Sequence, residues 1–125
     1  MVLEKIAKKD YDGLDELLKH KIVDANMHVN QLGMTSLHVV CSIISEKTQW
    51  MIHVLVKHGA NPNLQDIHGR TCLHFAAAQG NINAFTFLLR HFNHKAPFQL
   101  NLNLRTVGGE TALFKAVQNL QVECV

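Results

Sequence analysis

The chain has 125 residues, a hydrophobic content of 47% and a formal net charge of +2. This length suits one domain with enough apolar residues for a core. Nucleic-acid binders usually carry a dense stripe of Lys and Arg. Here the lysines between Lys5 and Lys21 alternate with carboxylates, which is typical of a solvated helix face. The composition therefore argues against a nucleic-acid partner.

The cysteines and apolar runs indicate the compartment. An odd number of widely spaced cysteines (Cys41, Cys72 and Cys124) does not fit a secreted disulfide framework. The apolar run WMIHVLV from Trp50 is too short for a membrane span, and the N-terminus lacks the apolar core of a signal peptide. These features predict an intracellular protein, cytoplasmic or nuclear, without membrane contact.

In chain order, the first predicted element is a helix pair before Asn26. It is indicated by apolar residues at helical spacing: Leu3, Ile6, Ala7, Leu14, Leu17 and Leu18. This pair lacks the glycine–threonine motif that recurs in the rest of the chain. Terminal units of repeat arrays are often atypical in this way.

Three later segments are variants of one motif: GMTSLHVVC from Gly33, GRTCLHFAA from Gly69 and GETALFKAV from Gly109. Each has glycine, any residue, threonine, a small residue and leucine, and the first two add histidine. The glycines are 36 and 40 residues apart, and Asn63 and Asn103 each stand six residues before a glycine. Self-similarity at such a period indicates a repeat architecture.

These segments resemble the ankyrin repeat, a turn followed by two antiparallel helices with a basic period of about 33 residues. The resemblance covers essentially the whole chain and implies an all-α solenoid of about four stacked helix-turn-helix units with β-hairpin-like turns. The approximate units are 1–29, 30–65, 66–105 and a truncated 106–125. In the family motif Thr-Pro-Leu-His, this chain replaces the proline with Ser36, Cys72 or Ala112 and the last histidine with Phe114.

The spacings exceed the basic period, so residues must be inserted. We expect about three near Ile44 to Lys47 and about seven between Phe92 and Gln99, where Pro97 prevents a continuing helix. The second helices of the two central units are predicted from apolar residues at helical spacing, between Met51 and Val56 and between Ala84 and Leu89.

The motif residues have structural roles in such a scaffold. The glycines favour a turn conformation that is costly for other residues, the threonines stand at N-caps, and the leucines start the buried stripe of each first helix. The resemblance implies that the histidines brace the turns by hydrogen bonds. The predicted structural residues are Gly33, Thr35, Leu37, His38, Gly69, Thr71, Leu73, His74, Gly109, Thr111 and Leu113.

Cys72 and His74 could alternatively belong to a metal site or a cysteine–histidine pair. A structural role is preferred because the resemblance places Cys72 at the proline position of the motif and His74 at its histidine position. Phe114 agrees with this role, because the loss of the histidine in one copy breaks no catalytic set. His91 and His94 are three residues apart, but structural zinc usually needs four ligands with closely paired cysteines. No phosphate loop, nucleophile elbow or zincin motif occurs. We expect no metal, no cofactor and no catalytic residue.

In ankyrin proteins the hairpin tips and first helices form a concave surface that typically binds other proteins. The resemblance therefore implies a scaffold or adaptor that binds a partner protein. Apolar tip residues either bind this partner or pack against adjacent tips, and Arg70 is a good anchor type. The predicted contact positions are Gln31, Leu32, Met34, Ser42, Ile67, His68, Arg70, Ala78, Gln79, Val107, Glu110, Gln118 and Asn119.

The last residues, NLQVECV from Asn119, are predicted to start a second helix and then stop, which exposes apolar residues. We expect a fragment of a longer protein, monomeric unless this open end associates. The connection after Phe92 and the segment that follows it also resemble the inhibitor-of-NF-kappa-B class of ankyrin proteins. The alternative function is a regulatory or substrate-docking domain of a larger enzyme, with catalysis outside this chain.

Overall fold

The computed structural model of the chain describes residues 2–43, 46–92 and 100–124, without the side chains of residues 11 and 119–124. Isolated antiparallel bridges join His28 to Thr35 and Arg105 to Thr111, which marks hairpin-like turns. The predicted all-α fold is confirmed. The helices of the described part are α1 (Val2–Ala7), α2 (Tyr11–Lys19), α3 (Ser36–Cys41), α4 (Thr48–Lys57), α5 (Cys72–Ala78), α6 (Ile82–His91) and α7 (Ala112–Cys124).

The helices stack in two layers. In the first layer α1 packs on α3, α3 on α5 and α5 on α7, and in the second layer α2 packs on α4 and α4 on α6. The two helices of a unit also pack on each other, as α3 does on α4 and α5 on α6. This arrangement is the predicted solenoid of stacked helix pairs.

The core lies between the two layers and runs through all the units. It consists of one apolar stripe from each of α1 to α6, as expected for amphipathic helices, and α7 adds Ala112. Burial of each large side chain stabilises the fold by about 1.5–3 kcal/mol. Its most deeply buried large apolar residues are Ile6, Leu14, Leu37, Ile52, Leu55, Leu73 and Leu88.

Local chemistry sets the boundary between α5 and α6. Gly80 has a φ of +66°, a conformation that ends a helix at little cost only in glycine. Asn81 then caps α6, because its side chain accepts a hydrogen bond from the Ala84 amide at 3.3 Å. Its Nδ2 also donates to the carbonyl of Ile43 at 3.1 Å. One residue thus begins a helix and ties it to the preceding unit.

The fourth unit departs from this pattern. α7 continues without a break to its last residue, so the prediction that a second helix begins at Asn119 is wrong. In the third unit the break falls at Gly80 and Asn81. The corresponding residues of the fourth unit, counted from the repeat glycine, are Leu120 and Gln121. Neither supplies the glycine or the N-cap that would separate two helices.

Asparagine side chains link the loops that precede the hairpins. Asn26 Oδ1 accepts from the amide of Asn61 at 2.6 Å, and Asn63 Oδ1 accepts from the amide of Asn101 at 2.8 Å. Asn26 Nδ2 also donates to the carbonyl of Gly59 at 3.1 Å. The asparagines of one unit therefore hold the backbone of the next.

The predicted N-terminal helix pair is present as α1 and α2. The two predicted insertions extend into residues 44–45 and 93–99, which lie outside the described residues. In the part of the chain that the structure describes, no helix combines the length and the apolar character needed to cross a bilayer.

Candidate functional site

The hairpin before α5 is built on Asp66 and Gly69. The Asp66 amide donates to the carbonyl of Arg70, and the Gly69 amide donates to the carbonyl of Asp66, both at 2.9 Å. Gly69 has a φ of +77°, and a Cβ at this position would lie 2.9 Å from the carbonyl oxygen of Arg105 in the next hairpin. Glycine is therefore required both by the turn and by the close approach of the next unit.

The carboxylate of Asp66 holds this hairpin from the inside. It is fully buried and accepts from the amides of His68 and Arg70 at 3.0 and 2.8 Å, and from Arg70 Nε at 2.8 Å. Burial raises the pKa of Asp66, but these hydrogen bonds outweigh it and hold the pKa below its ordinary value. The carboxylate is thus ionised at neutral pH and forms an ion pair with the guanidinium beside it.

Sequence reasoning missed Asp66, although the repeat contains a signal for it. Asn30, Asp66 and Thr106 all stand three residues before a repeat glycine. Asn30 Oδ1 accepts from two hairpin amides at 3.0 and 3.2 Å, and Thr106 Oγ1 accepts from one at 3.2 Å. A short side-chain acceptor is favoured at this place in a turn.

Successive hairpin tips are joined through their backbones. The Ile67 amide donates to the carbonyl of Leu32, and the Val107 amide donates to the carbonyl of His68, both at 2.8 Å. The tips therefore form one continuous edge. Along it, the exposed fractions of Leu32, Ile67 and Val107 rise from 39% to 60% and 80%. Contacts between adjacent tips leave most of the surface of Ile67 and Val107 free.

His38 on α3 and His74 on α5 connect these helices to the hairpin of the next unit. His38 Nδ1 accepts from the Thr35 amide at 3.0 Å, and Nε2 lies 2.8 Å from the carbonyl oxygen of Arg70. His74 repeats both bonds one unit further on, at 3.0 and 2.9 Å. Because a backbone N–H can only donate, Nδ1 is unprotonated and Nε2–H donates to the carbonyl. Both rings therefore bridge two units as neutral groups.

The environment of His38 favours this neutral form. Burial lowers the pKa of His38, although the hydrogen bond to the Arg70 carbonyl opposes the shift. In the fourth unit Phe114 stands in place of the histidine and cannot form such a bridge. There the hydroxyl of Thr111 accepts from the amide of Phe114 at 3.2 Å, an ordinary N-cap bond.

A recess of about 340 Å³ lies between the third and fourth units. It is lined by two successive hairpin tips and by residues of α5 and α7. Five of the predicted contact positions line it: His68, Arg70, Ala78, Val107 and Glu110. Phe75 and Lys115 also line it and were not predicted, because their place in the wall depends on how α5 and α7 stack.

The guanidinium of Arg70 is held from two directions. Its Nε donates to the buried carboxylate of Asp66, and its Cζ lies 4.5 Å from the centroid of the Phe75 ring, a cation–π contact. The Phe75 ring in turn meets the His38 ring edge to face at 5.6 Å. The Arg70 side chain nevertheless remains 35% exposed. Arg70 is therefore a fixed and partly accessible cation.

A second ion pair lies in the same recess. Lys115 Nζ is 3.4 Å from Glu110 Oε2, and about one third of each side chain is exposed. Pairs as exposed as this one contribute only about 0–1 kcal/mol. Either group can therefore exchange its present partner for one on a bound molecule at little cost.

Comparison with known protein families agrees with this geometry. The family described as ankyrin repeats (3 copies) matches residues 3–96 and, in an overlapping match, residues 44–125. The chain belongs to the ankyrin repeat family.

Proteins that are similar to this chain are much longer than it is. Rabankyrin-5 of Homo sapiens is 41% identical over 80 residues, or 64% of the chain. The nuclear factor NF-kappa-B p105 subunit of Gallus gallus is 38% identical over 74 residues, or 59% of the chain. The ADP-ribosylation factor GTPase-activating protein AGD4 of Arabidopsis thaliana is 34% identical over 88 residues, or 70% of the chain. The chain spans 6%, 7% and 11% of these proteins, respectively.

Most predicted contact positions of this ankyrin domain are accessible. Ser42, Arg70 and Glu110 are half-buried, and the side chain of Asn119 lies outside the described residues. The exposed positions are Gln31, Leu32, Ile67, His68, Ala78, Gln79, Val107 and Gln118.

Two residues do not lie where the motif predicted. Met34 is buried, so the prediction that it contacts a partner is wrong: it directly follows the turn glycine, and its Sδ accepts from Asn30 Nδ2 at 3.2 Å. Leu113 is 59% exposed, whereas Leu37 and Leu73 are each 1% exposed. The prediction that Leu113 starts a buried stripe is therefore wrong. In the described part of the chain no second helix folds back onto α7 to cover it.

The cysteines of the first helices are packing residues. Cys41 and Cys72 are both buried, and Cys72 Sγ lies 3.5 Å from the carbonyl oxygen of Pro62. Contact with the Cys72 thiol, and then burial, raises the pKa of Cys41 well above its ordinary value. A thiol in this state is a poor nucleophile and a poor metal ligand.

The described side chains do not form a metal-binding cluster. Across residues 2–43, 46–92 and 100–118, where side chains are described, no group of three or more His, Cys, Asp or Glu residues could hold a metal ion. The candidate ligands His94 and Cys124 lie outside these ranges, Cys124 by its side chain.

Proposed function

We propose that this ankyrin domain is a protein-interaction module, a scaffold or adaptor, that binds a partner protein through the concave face formed by its hairpin tips and first helices. The observation that supports this function is the apolar row of Leu32, Ile67 and Val107, which is exposed along the joined tips and ends at the recess that Val107 lines. Exposed apolar surface with a polar rim is typical of protein-binding sites.

The construction of the face also favours binding. The tips are fixed to one another by backbone hydrogen bonds and to the first helices by His38 and His74. A surface that is already ordered loses little conformational entropy when a partner binds. Covering one exposed Ile or Val side chain fully contributes about 1.5–3 kcal/mol, so Ile67 and Val107 together can supply a substantial part of the affinity.

A second candidate function is the docking or regulatory domain of a larger enzyme. One similar protein is named as a GTPase-activating protein, and this chain spans only 11% of its length. The same concave face would then bind a substrate protein or a regulatory segment, with catalysis outside these residues. The similarity to the NF-kappa-B p105 subunit is compatible with the predicted resemblance to the inhibitor-of-NF-kappa-B class, which stays a prediction.

The proposed face can be tested by affinity capture from a cell extract, with the captured proteins quantified by mass spectrometry. Ile67→Asp and Val107→Asp should each reduce the captured partner about tenfold or more, because a carboxylate would be buried against an apolar surface. Ile82→Asp is the matched control, because Ile82 is 63% exposed but lies on α6 in the other layer.

All three substitutions are at exposed positions, so the melting temperatures should stay within about 2 °C of the unsubstituted chain. Capture that survives both tip substitutions would contradict the proposal. If Ile82→Asp loses capture to the same extent, the binding surface is not confined to the concave face.

A further inference from the structure

The donors of Arg70 indicate what the recess can bind. A guanidinium carries five N–H donors, and the protein uses the one on Nε for Asp66. Among the residues that the structure describes, no acceptor meets the two terminal nitrogens of Arg70. Their position is nevertheless fixed, because Asp66 holds Nε and the Phe75 ring supports the guanidinium face. The recess therefore contains ordered donors with free hydrogen-bonding capacity.

The accessible charge of the recess is positive. The carboxylate of Asp66 is fully buried whereas Arg70 is 35% exposed, so a bound molecule meets mainly the positive member of this pair. Lys115 and Glu110, which also line the recess, are exposed to nearly the same extent. The groups that a partner can reach are thus two cations and one carboxylate. This balance favours a group with a single negative charge.

Apolar surface lies directly beside these charges. Val107 is 80% exposed, and Phe75 and Ala78 form the remaining apolar wall of the recess. A partner segment can therefore place an apolar side chain on Val107 while a neighbouring side chain reaches Arg70.

We propose that the recess binds a carboxylate side chain of the partner, supplied by a short segment in which Asp or Glu stands next to an apolar residue. The carboxylate accepts hydrogen bonds from the terminal nitrogens of Arg70, and the apolar residue covers Val107. This inference rests on the proposed function and specifies the chemistry of its partner. A phosphate group, with a charge near −2 at neutral pH, is less suitable because the Glu110 carboxylate shares the recess.

The test uses a library of short random peptides displayed on phage and selected on the purified chain, with Val107→Asp for counter-selection. The selected peptides should share an Asp or Glu next to an apolar residue. Changing that acidic residue to Asn or Gln should weaken binding about tenfold or more, because hydrogen bonds between charged groups are stronger than neutral ones.

Arg70→Lys separates recognition from folding. The lysine amine can still pair with Asp66, but it cannot also present the planar fork of terminal nitrogens. The acidic peptide should lose about tenfold in affinity for this variant, whereas its Asn or Gln analogue should bind both proteins equally. Arg90→Lys is the matched control, because Arg90 is exposed on α6 and should leave the affinity unchanged. Melting curves check that each variant is folded.

The outcomes distinguish this inference from the interaction function itself. Selected peptides that lack a shared carboxylate, or that bind Arg70→Lys with full affinity, would overturn the carboxylate assignment but leave the concave face as a binding surface. Tighter binding of a peptide with phosphoserine in place of the acidic residue would assign the recess to phosphate. If no peptide is enriched over the Val107→Asp counter-selection, the recess is not a peptide site.

Discussion

The third and fourth units carry the same motif, yet its residues have different surroundings in each. Leu73 is 1% exposed and Leu113 is 59% exposed. A Cβ on Gly69 would meet the backbone of the next hairpin at 2.9 Å, whereas a Cβ on Gly109 would meet nothing described within 4 Å. The motif therefore specifies the turn and the start of the helix, whereas the neighbouring elements determine whether its residues are buried.

The largest difference between the third and fourth units is expected at the motif leucines. Leu73→Ala should cost about 2–5 kcal/mol of the free energy of unfolding, because it leaves a cavity in a packed core. Leu113→Ala should change the free energy of unfolding by less than about 0.5 kcal/mol, because the side chain is already in water. Urea unfolding followed by circular dichroism measures both. Similar costs at the two positions would show that Leu113 is covered in solution.

The repeat glycines give the second test. Gly69→Ala and Gly109→Ala each place an alanine in a left-handed conformation, which costs about 1–2 kcal/mol. Gly69→Ala should be more destabilising by at least about 1 kcal/mol, because the backbone carbonyl of Arg105 must also move. Thermal unfolding of the two variants side by side measures this difference. Equal losses of stability would contradict the close packing of successive hairpins.

The third and smallest effect is expected at His38, whose counterpart in the fourth unit is Phe114. The pKa of His38 in the folded chain lies below its ordinary value of 6.5, so below about pH 6.5 the unfolded chain takes up a proton that the folded chain does not. The contribution of His38 is therefore complete above this pH and is lost as the pH falls towards the folded pKa. The slope for one proton is at most about 1.4 kcal/mol per pH unit.

Urea midpoints between about pH 7.5 and 5.5 should show this loss, and His38→Gln should have a flatter dependence over the same range. The pKa values of Asp10, Asp15 and Asp66 are held below their ordinary value of 3.8. Their contributions are present above that value and are lost only in more acidic solution, outside this range. An unchanged slope in His38→Gln would mean that other groups cause the acid sensitivity.

Local signals in the sequence were sufficient to predict the fold. The spacing of apolar residues, the turn glycines and the threonine caps act within one unit, so a single copy of the motif predicts a turn and a helix. The absence of a break in α7 could also have been predicted, because Leu120 and Gln121 replace Gly80 and Asn81.

Burial in the neighbouring unit could not be predicted in this way. The burial of Met34 and the exposure of Leu113 depend on which elements lie beside them. The five predicted positions that line the recess came from the family resemblance, whereas the fixed guanidinium of Arg70 depends on the three-dimensional arrangement of Asp66 and Phe75. Motif position thus indicates a surface, but side-chain partners determine its chemistry.

The hydrogen bonds that join successive units have a consequence for how the chain folds. The bond from His38 to the Arg70 carbonyl spans 32 residues, that from His74 to the Glu110 carbonyl spans 36, and that from Asn101 to Asn63 spans 38. Each of these hydrogen bonds therefore closes a loop of about one unit. The entropy lost in closing such a loop depends only weakly on its length. Folding can therefore begin at any pair of adjacent units and spread to either side, with a similar loss of entropy at each step.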